Sequence, residues 1–166
     1  EDFVILPLYS FSSAKGKYVP PKSGLNQWNA SGRKRHPNEV YIGLSQKIHH
    51  YFNNKYPDAE MKFFPGRDTP FKLILPDGNR LEAKVCQDNS KAIMSNPNKD
   101  LGEWLLRKVL NLEENEILTY DTLLTIGVDS VKITRKNNDN HSDKLEYSIE
   151  FCSIGTYDEF ALKNSI

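Results

Sequence analysis

None of this chain's apolar runs approaches the roughly 20 residues needed to cross a bilayer, and the opening run from Phe3 to Leu8 is too short even for the core of a secretory signal. A membrane is therefore not an expected partner. Cysteine is scarce: Cys86 and Cys152 lie in strand-like runs, LEAKVCQ and LEYSIEFC, where a free cysteine acts as a small buried hydrophobe. So few cysteines exclude a disulfide-dense scaffold and fit reduced thiols in a cytoplasmic protein. Internal repeats and low-complexity tracts are missing too, which removes solenoids and linker arrays. What is left suits one folded domain of 166 residues, 38% of them hydrophobic and 27% charged. Because it opens on Glu1 rather than Met, the chain reads as a fragment of a longer protein.

Net charge is another absence, with 22 Lys and Arg against 22 Asp and Glu. Taken alone, this balance argues against a polyanionic partner. The distribution argues the other way. Between Phe3 and Asn38 there is no acid, while Lys15, Lys17, Lys22, Arg33, Lys34, Arg35 and His36 are present. The balancing acids gather at Glu113, Glu114, Glu116 and Asp121, so a positive face and a negative face are expected. The plainer alternative is a loop solvated by its own charges.

Combinations of residues that do chemistry are also missing. A phospholipase D-type nuclease needs a His and a Lys two residues apart, and none of His36, His49, His50 and His141 is followed by Lys at that spacing. On a helix, adjacent His49 and His50 point about 100° apart, unlike a pair four residues apart that shares one zinc. The string PDGNRLEAK, Pro76 to Lys84, superficially matches a metal-dependent nuclease that would use Glu82 and Lys84. In the expected hairpin, however, Asp77 sits in the loop and Glu82 about 10 Å down the strand, whereas ligands to one divalent ion stand at about 2.0–2.6 Å. No catalytic centre, metal or cofactor is expected, and the metal-nuclease reading stays as a rival.

The elements come in mixed order. Phe3 to Tyr9 reads as an edge strand, since Pro7 cannot donate to a ladder. Residues 10–37 show no sustained periodicity and read as one long loop, a length that usually signals function or disorder. Glu39 to Leu44 alternates as a strand, and Ser45 caps a helix that buries Ile48, Tyr51 and Phe52 until Pro57 stops it. A hairpin follows in which Phe71 pairs with Val85, Leu73 with Ala83 and Leu75 with Leu81, leaving Asp77, Gly78 and Asn79 as its loop. Beyond it, Ala92 to Met94 can form a short strand. Asn98 or Asp100 then caps the helix LGEWLLRKVLNL with its apolar stripe Leu101, Trp104, Leu105, Val109 and Leu112. A short helical turn, TYDTLLTI, ends at Gly127. Two strands, Val128 to Arg135 and Lys144 to Cys152, are joined by the loop KNNDNHSD. Seven strands linked mostly by turns, with two or three helices, predict a mainly-β fold: an antiparallel sheet curled into a barrel whose ends the helices close.

Two polar segments stand out from this apolar scaffold. The first, Ser23 to Asn38, offers Ser23, Asn26, Gln27, Asn29, Ser31, Arg33, Lys34, Arg35 and Asn38. The second, Gln87 to Lys99, offers Gln87, Asn89, Ser90, Lys91, Asn96, Asn98 and Lys99. Arginine can pair bidentately with a guanine edge and Asn or Gln with an adenine edge, while Lys and Ser hold phosphates. Trp28 stacks on a base, packs on sugar, or anchors the first segment; anchoring is favoured because a tryptophan hides its ring and keeps its N–H wet. Single-strand binding would need several exposed rings in one groove, so duplex DNA is the better partner. Arg67, in FFPGRDTPF, is a further candidate contact that Asp68 can neutralise. A protein-interaction module whose basic loop meets an acidic partner is the remaining alternative.

Together, NQWNASGRKRHPNEVYI, FFPGRDTPF, LEAKVCQDNSKAIMSNPNKDLGEWLLRKVL and IGVDSVKI resemble the C-terminal DNA-recognition domain of NgoFVII/NgoAVII-type restriction endonucleases. The resemblance implies a seven-stranded open pseudobarrel, as in plant B-three transcription factors and the recognition domains of BfiI and EcoRII. It implies two arms that grip the major groove of double-stranded DNA, and the two polar segments stand where those arms are expected. It also implies a covalently linked, phospholipase D-like nuclease domain outside this chain, in a bacterial cytoplasmic restriction–modification system.

Overall fold

A computed structural model describes residues 2–136 and 145–166. The expected loop KNNDNHSD, apart from Lys136, lies outside the described residues, as does His141. Among the described residues the strands are β1 (Phe3–Pro7), β2 (Ser10–Ser12), β3 (Gly16–Tyr18), β4 (Ile42–Gly43), β5 (Phe71–Ile74), β6 (Arg80–Cys86), β7 (Ala92–Ser95), β8 (Val128–Arg135) and β9 (Glu146–Ser153). Seven of them form one sheet in the order β1-β8-β9-β5-β6-β7-β4, and β2 and β3 form a separate hairpin. The edge strands β1 and β4 approach each other, so the sheet curls into an almost closed barrel.

The strands are not all antiparallel. β5 runs parallel to β9, with Lys72 opposite Glu146, Leu73 opposite Tyr147 and Ile74 opposite Ser148. Every other pair in the sheet is antiparallel. The β5–β6 hairpin is slipped by two residues from the sequence expectation, with Phe71 opposite Ala83 and Leu73 opposite Leu81. A slip of two keeps every side chain on its face, which is why the buried pattern was right although the register was not. Glycine decides the register: Gly78 takes φ +88° as the last residue of the loop Pro76–Asp77–Gly78, where a left-handed residue is required. Pro76 enters at the second position of the turn, and Gly78 N–H donates to the Leu75 carbonyl at 2.9 Å.

The helices are α1 (Gln46–Lys55), α2 (Asp100–Gly102, continuing in wide π-helical turns over Glu103–Val109), α3 (Tyr120–Ile126) and α4 (Thr156–Lys163). Ser45 caps α1 as expected, its hydroxyl accepting from Ile48 N–H at 3.3 Å. In the π segment Leu110 N–H reaches back to Leu105, and Leu106 and Leu110 join Leu101, Trp104, Leu105 and Leu112 in the core. α4 was missed in the sequence, although Gly155 precedes it at φ +90° and Phe160 is its buried residue. No helix among the described residues is long and apolar enough to cross a membrane.

Aromatic residues pack where the segment between α1 and β5 folds back on the barrel. Phe63 stacks on Phe52 at 5.3 Å and meets Phe64 edge-on at 4.8 Å, while Tyr147 from β9 lies 5.7 Å from Phe63. The Tyr147 hydroxyl donates to the Phe63 carbonyl at 2.5 Å, so the one polar atom this ring buries is satisfied. Cys86 and Cys152 are free thiols on β6 and β9, and burial pushes both above the ordinary thiol range.

Candidate nucleic-acid interface

The long loop expected over residues 10–37 is largely built. It holds the β2–β3 hairpin and a 3-10 helix, Gly24–Asn29, that lays Leu25 into the core. Asn26 has no exposed surface: its side-chain amide donates to the Pro20 and Leu118 carbonyls and accepts from Leu118 N–H, each at 2.9 Å. It is therefore a scaffold residue rather than a reader, because every group able to face a base already has a partner inside. Asn26→Ala should lower the unfolding free energy by about 2 kcal/mol, since it leaves buried backbone groups unpaired. An unchanged urea midpoint would show that the amide is dispensable. Asn29 donates to the Pro21 carbonyl at 2.9 Å, and Trp28 packs against the core as an anchor, although its indole N–H is buried instead of wet and has no partner among the described residues. Ser23 and Gln27 are half-buried beside them.

The exposed part of the first polar segment, called the first arm below, thus begins at Ser31. Ser31, Gly32, Arg33, Lys34 and His36 are exposed, yet the loop that carries them is firmly held. Its anchor is Glu39, which the expected strand 39–44 would have left as an ordinary alternating position. Only Ile42 and Gly43 pair in the sheet, and the Glu39 carboxylate turns inward, 1% exposed. Arg33 grips both of its oxygens at 3.1 and 2.8 Å, and Arg35 reaches one at 2.8 Å. Arg35 also donates to the Ala30 carbonyl, so its guanidinium is used inside the arm. Behind the arm, Arg107 donates to the Pro37 carbonyl and to Asn38 Oδ1, at 3.0 and 2.9 Å. The backbone of α2 comes so close that a Cβ on Gly102 would meet the Asn38 carbonyl oxygen at 1.8 Å.

The same Arg107 donates to the Leu112 and Glu113 carbonyls, so the acidic segment starts beside the basic arm.

The second polar segment is not one projection. Its middle is β7, which pairs with β6 on one side and β4 on the other, with Ile42 opposite Ile93 and Gly43 opposite Ala92. Gln87, Asn89, Ser90 and Lys91 lie at the start of β7; Asn96, Asn98 and Lys99 follow its end, where the antiparallel neighbour β4 emerges from the first arm. Asn98 makes the link explicit, donating to Glu39 Oε1 at 3.0 Å. The two ends are separated by about 17 Å, five residues at roughly 3.4 Å each.

The tip Gln87–Lys91 is a tight turn in which Gln87, Asn89 and Ser90 all take positive φ, at 70°, 61° and 52°. Such residues cost about 1–2 kcal/mol each unless the surroundings impose the shape. Two side chains that the sequence did not single out for this role do so. His49 Nε2 lies 2.8 Å from the Ser90 carbonyl, and Arg67 donates to the Gln87 carbonyl at 3.4 Å. Arg67 therefore belongs with the second tip, and Asp68 beside it pairs with Lys84 at 3.6 Å. Between this tip and the β2–β3 hairpin runs an open groove of about 760 Å³ whose lining includes Phe11, Lys17, Tyr41, Lys47 and Lys91. Lys17 is held there by Asp158 at 2.5 Å.

Asp77 and Glu82 are engaged separately. Asp77 accepts from Asn79 N–H at 2.8 Å within the turn, while Glu82, on β6, accepts from Asn96 at 3.2 Å. Among the described residues no three of His, Cys, Asp and Glu converge as metal ligands.

Glu39, Gly102 and Arg107 were absent from the sequence-level site. Glu39 alone carried a signal, as the first acid after the acid-free stretch. No curated protein matches the chain. Residues 3–137 match the family model of the NgoFVII C-terminal B3-like DNA-binding domain, and the chain belongs to that family.

Proposed function

We propose that the domain binds a short, specific site in double-stranded DNA, with its arms entering the major groove from either end of the β4–β7 ladder. The first arm comprises Ser31 to Asn38 with Asn96, Asn98 and Lys99 beside it; the second comprises Gln87 to Lys91 with Arg67. The observation that carries this reading is the pair of polar tips about 17 Å apart on one ladder, each braced by buried or half-buried groups, against a groove about 12 Å wide. Exposed Lys34 and Lys99 contact phosphate, and Arg33, Asn89 and Asn98 face bases. In the parent protein the domain serves as the target-recognition module of a bacterial, cytoplasmic type II restriction endonuclease, whose phospholipase D-like nuclease is carried elsewhere.

Selection from a random duplex pool, followed by affinity measurements on the winner and a scrambled duplex, tests the assignment. The winner should bind at least 1,000-fold tighter at physiological salt, and both affinities should fall with salt as counterions are displaced. Lys34→Ala and Lys99→Ala should each weaken both duplexes alike and reduce the salt slope by about one. Equal affinity for the two duplexes would reject sequence reading and leave the basic loop as a docking patch for an acidic partner. Mg²⁺-dependent cleavage lost on Glu82→Ala would instead establish the nuclease reading.

A further inference from the structure

An ionised carboxylate has about four acceptor sites. Glu39 has all of them occupied: Oε1 accepts from Arg33 Nη1 and Asn98 Nδ2, and Oε2 accepts from Arg33 Nη2 and Arg35 Nη1. One carboxylate facing two guanidinium groups leaves the cluster with a net positive charge. That charge is unevenly presented, for the Arg35 side chain is 12% exposed and that of Arg33 is 55% exposed. Arg33 uses both ends of its fork on Glu39, while its Nε–H edge has no partner among the described residues.

We propose that Glu39 is a positioning residue for sequence discrimination, joining Arg33 and Asn98 into one preorganised reading unit that offers the Arg33 Nε–H edge to a base. The inference rests on the duplex-reading assignment above. A free arginine beside DNA has phosphates within reach at every step, and phosphates carry no sequence information. Tethering the fork removes that choice and lowers the ordering entropy on binding. The tether also brings together residues from two distant parts of the chain, the first arm and the segment after β7. A glutamine at position 39 cannot replace the carboxylate. Its single oxygen serves one pair of donors, and its amide N–H₂ then confronts the other pair without charge to hold either guanidinium.

The test compares Glu39→Gln with the unaltered domain on the selected and the scrambled duplex across salt, with a thermal melt of each protein. Affinity for the selected duplex should fall about tenfold. Affinity for the scrambled duplex should hold or rise, with a salt slope steeper by up to about one, as released arginines reach phosphates. Partial unfolding weakens both duplexes in proportion and cannot produce this divergence. A variant that retains the ratio between the two duplexes overturns the proposal.

Should Glu39→Gln fail to fold, the exposed pair Arg33→Gln and Asn98→Ala decides the matter. Each should reduce the selected-to-scrambled ratio about tenfold and the double variant barely further, because both belong to the single reading unit that Glu39 joins. Losses that multiply overturn the proposal. An unaltered domain that does not distinguish the two duplexes overturns the duplex-reading assignment itself, before any variant is compared.

Discussion

Gly102→Ala is expected to destabilise the domain by about 3 kcal/mol, the upper end of the usual cost of overpacking. A methyl group placed 1.8 Å from the Asn38 carbonyl oxygen meets backbone, not a flexible side chain, so either α2 or the root of the first arm has to move. Arg107 ties the same two elements together, donating to the Pro37 carbonyl and to Asn38 Oδ1, which blocks the easy way out. For a chain of this size the change corresponds to a melting temperature lower by roughly 6–12 °C. Sequence discrimination should decline as well at temperatures where the variant is still folded, because the displaced segment leads directly into Glu39. A variant that melts like the unaltered domain would mean that the close approach is not there.

Phe63→Ala should cost more, about 4 kcal/mol, and should do so without touching either arm. Phe63 is 1% exposed and packs against Phe52, Phe64, Tyr56 and Tyr147, so truncation opens a cavity that four neighbouring rings cannot readily collapse into. Denaturant unfolding measures the loss directly. In the fraction that remains folded, the ratio of affinities for selected and scrambled duplexes should match the unaltered domain, in contrast to Gly102→Ala. A milder change nearby sets the scale: Tyr147→Phe removes only the hydroxyl that donates to the Phe63 carbonyl and should cost about 1 kcal/mol. A loss for Phe63→Ala no larger than that of Tyr147→Phe would contradict the close packing of this cluster.

Much of the fold was legible because it is local. The Ser45 cap, the buried face of α1 and the alternation along β5 and β6 are written at spacings of a few residues, and each stands in the structure. The register of the β5–β6 hairpin was read two residues out, because two pairings place the same apolar residues on the same face; only the φ demanded of Gly78 separates them. The parallel partnership of β5 with β9 had no local signature at all. Its strands are separated by most of the second half of the chain, and an alternating pattern says which face is buried but not which neighbour lies alongside.

The candidate site divides along the same line. Composition marked residues 23–38 and 87–99 as polar and basic, and the exposed residues 31–34 and 36 of the first segment and Asn89 and Lys91 of the second fall within those limits, while residues 23–30 turned out to be built into the scaffold. It could not tell Asn26 from Asn89, since an amide that closes three hydrogen bonds inside the protein is spelled the same as one left on a turn.

By itself, then, the amino-acid order determined which segments are apolar enough to be strands and helices, where caps and turns interrupt them, and which stretches carry cations and amides instead of core residues. Tertiary structure alone decided that Asn98 would meet Arg33 across one buried carboxylate, that Arg107 would brace the arm beside the first of the acids, and that the short strand expected at Ala92 to Met94 would lie between β4 and β6. The reason is physical: periodicity and turn chemistry act over a few bonds of chain, whereas the partner of a buried charge is fixed only when the barrel closes and brings distant segments within hydrogen-bonding reach.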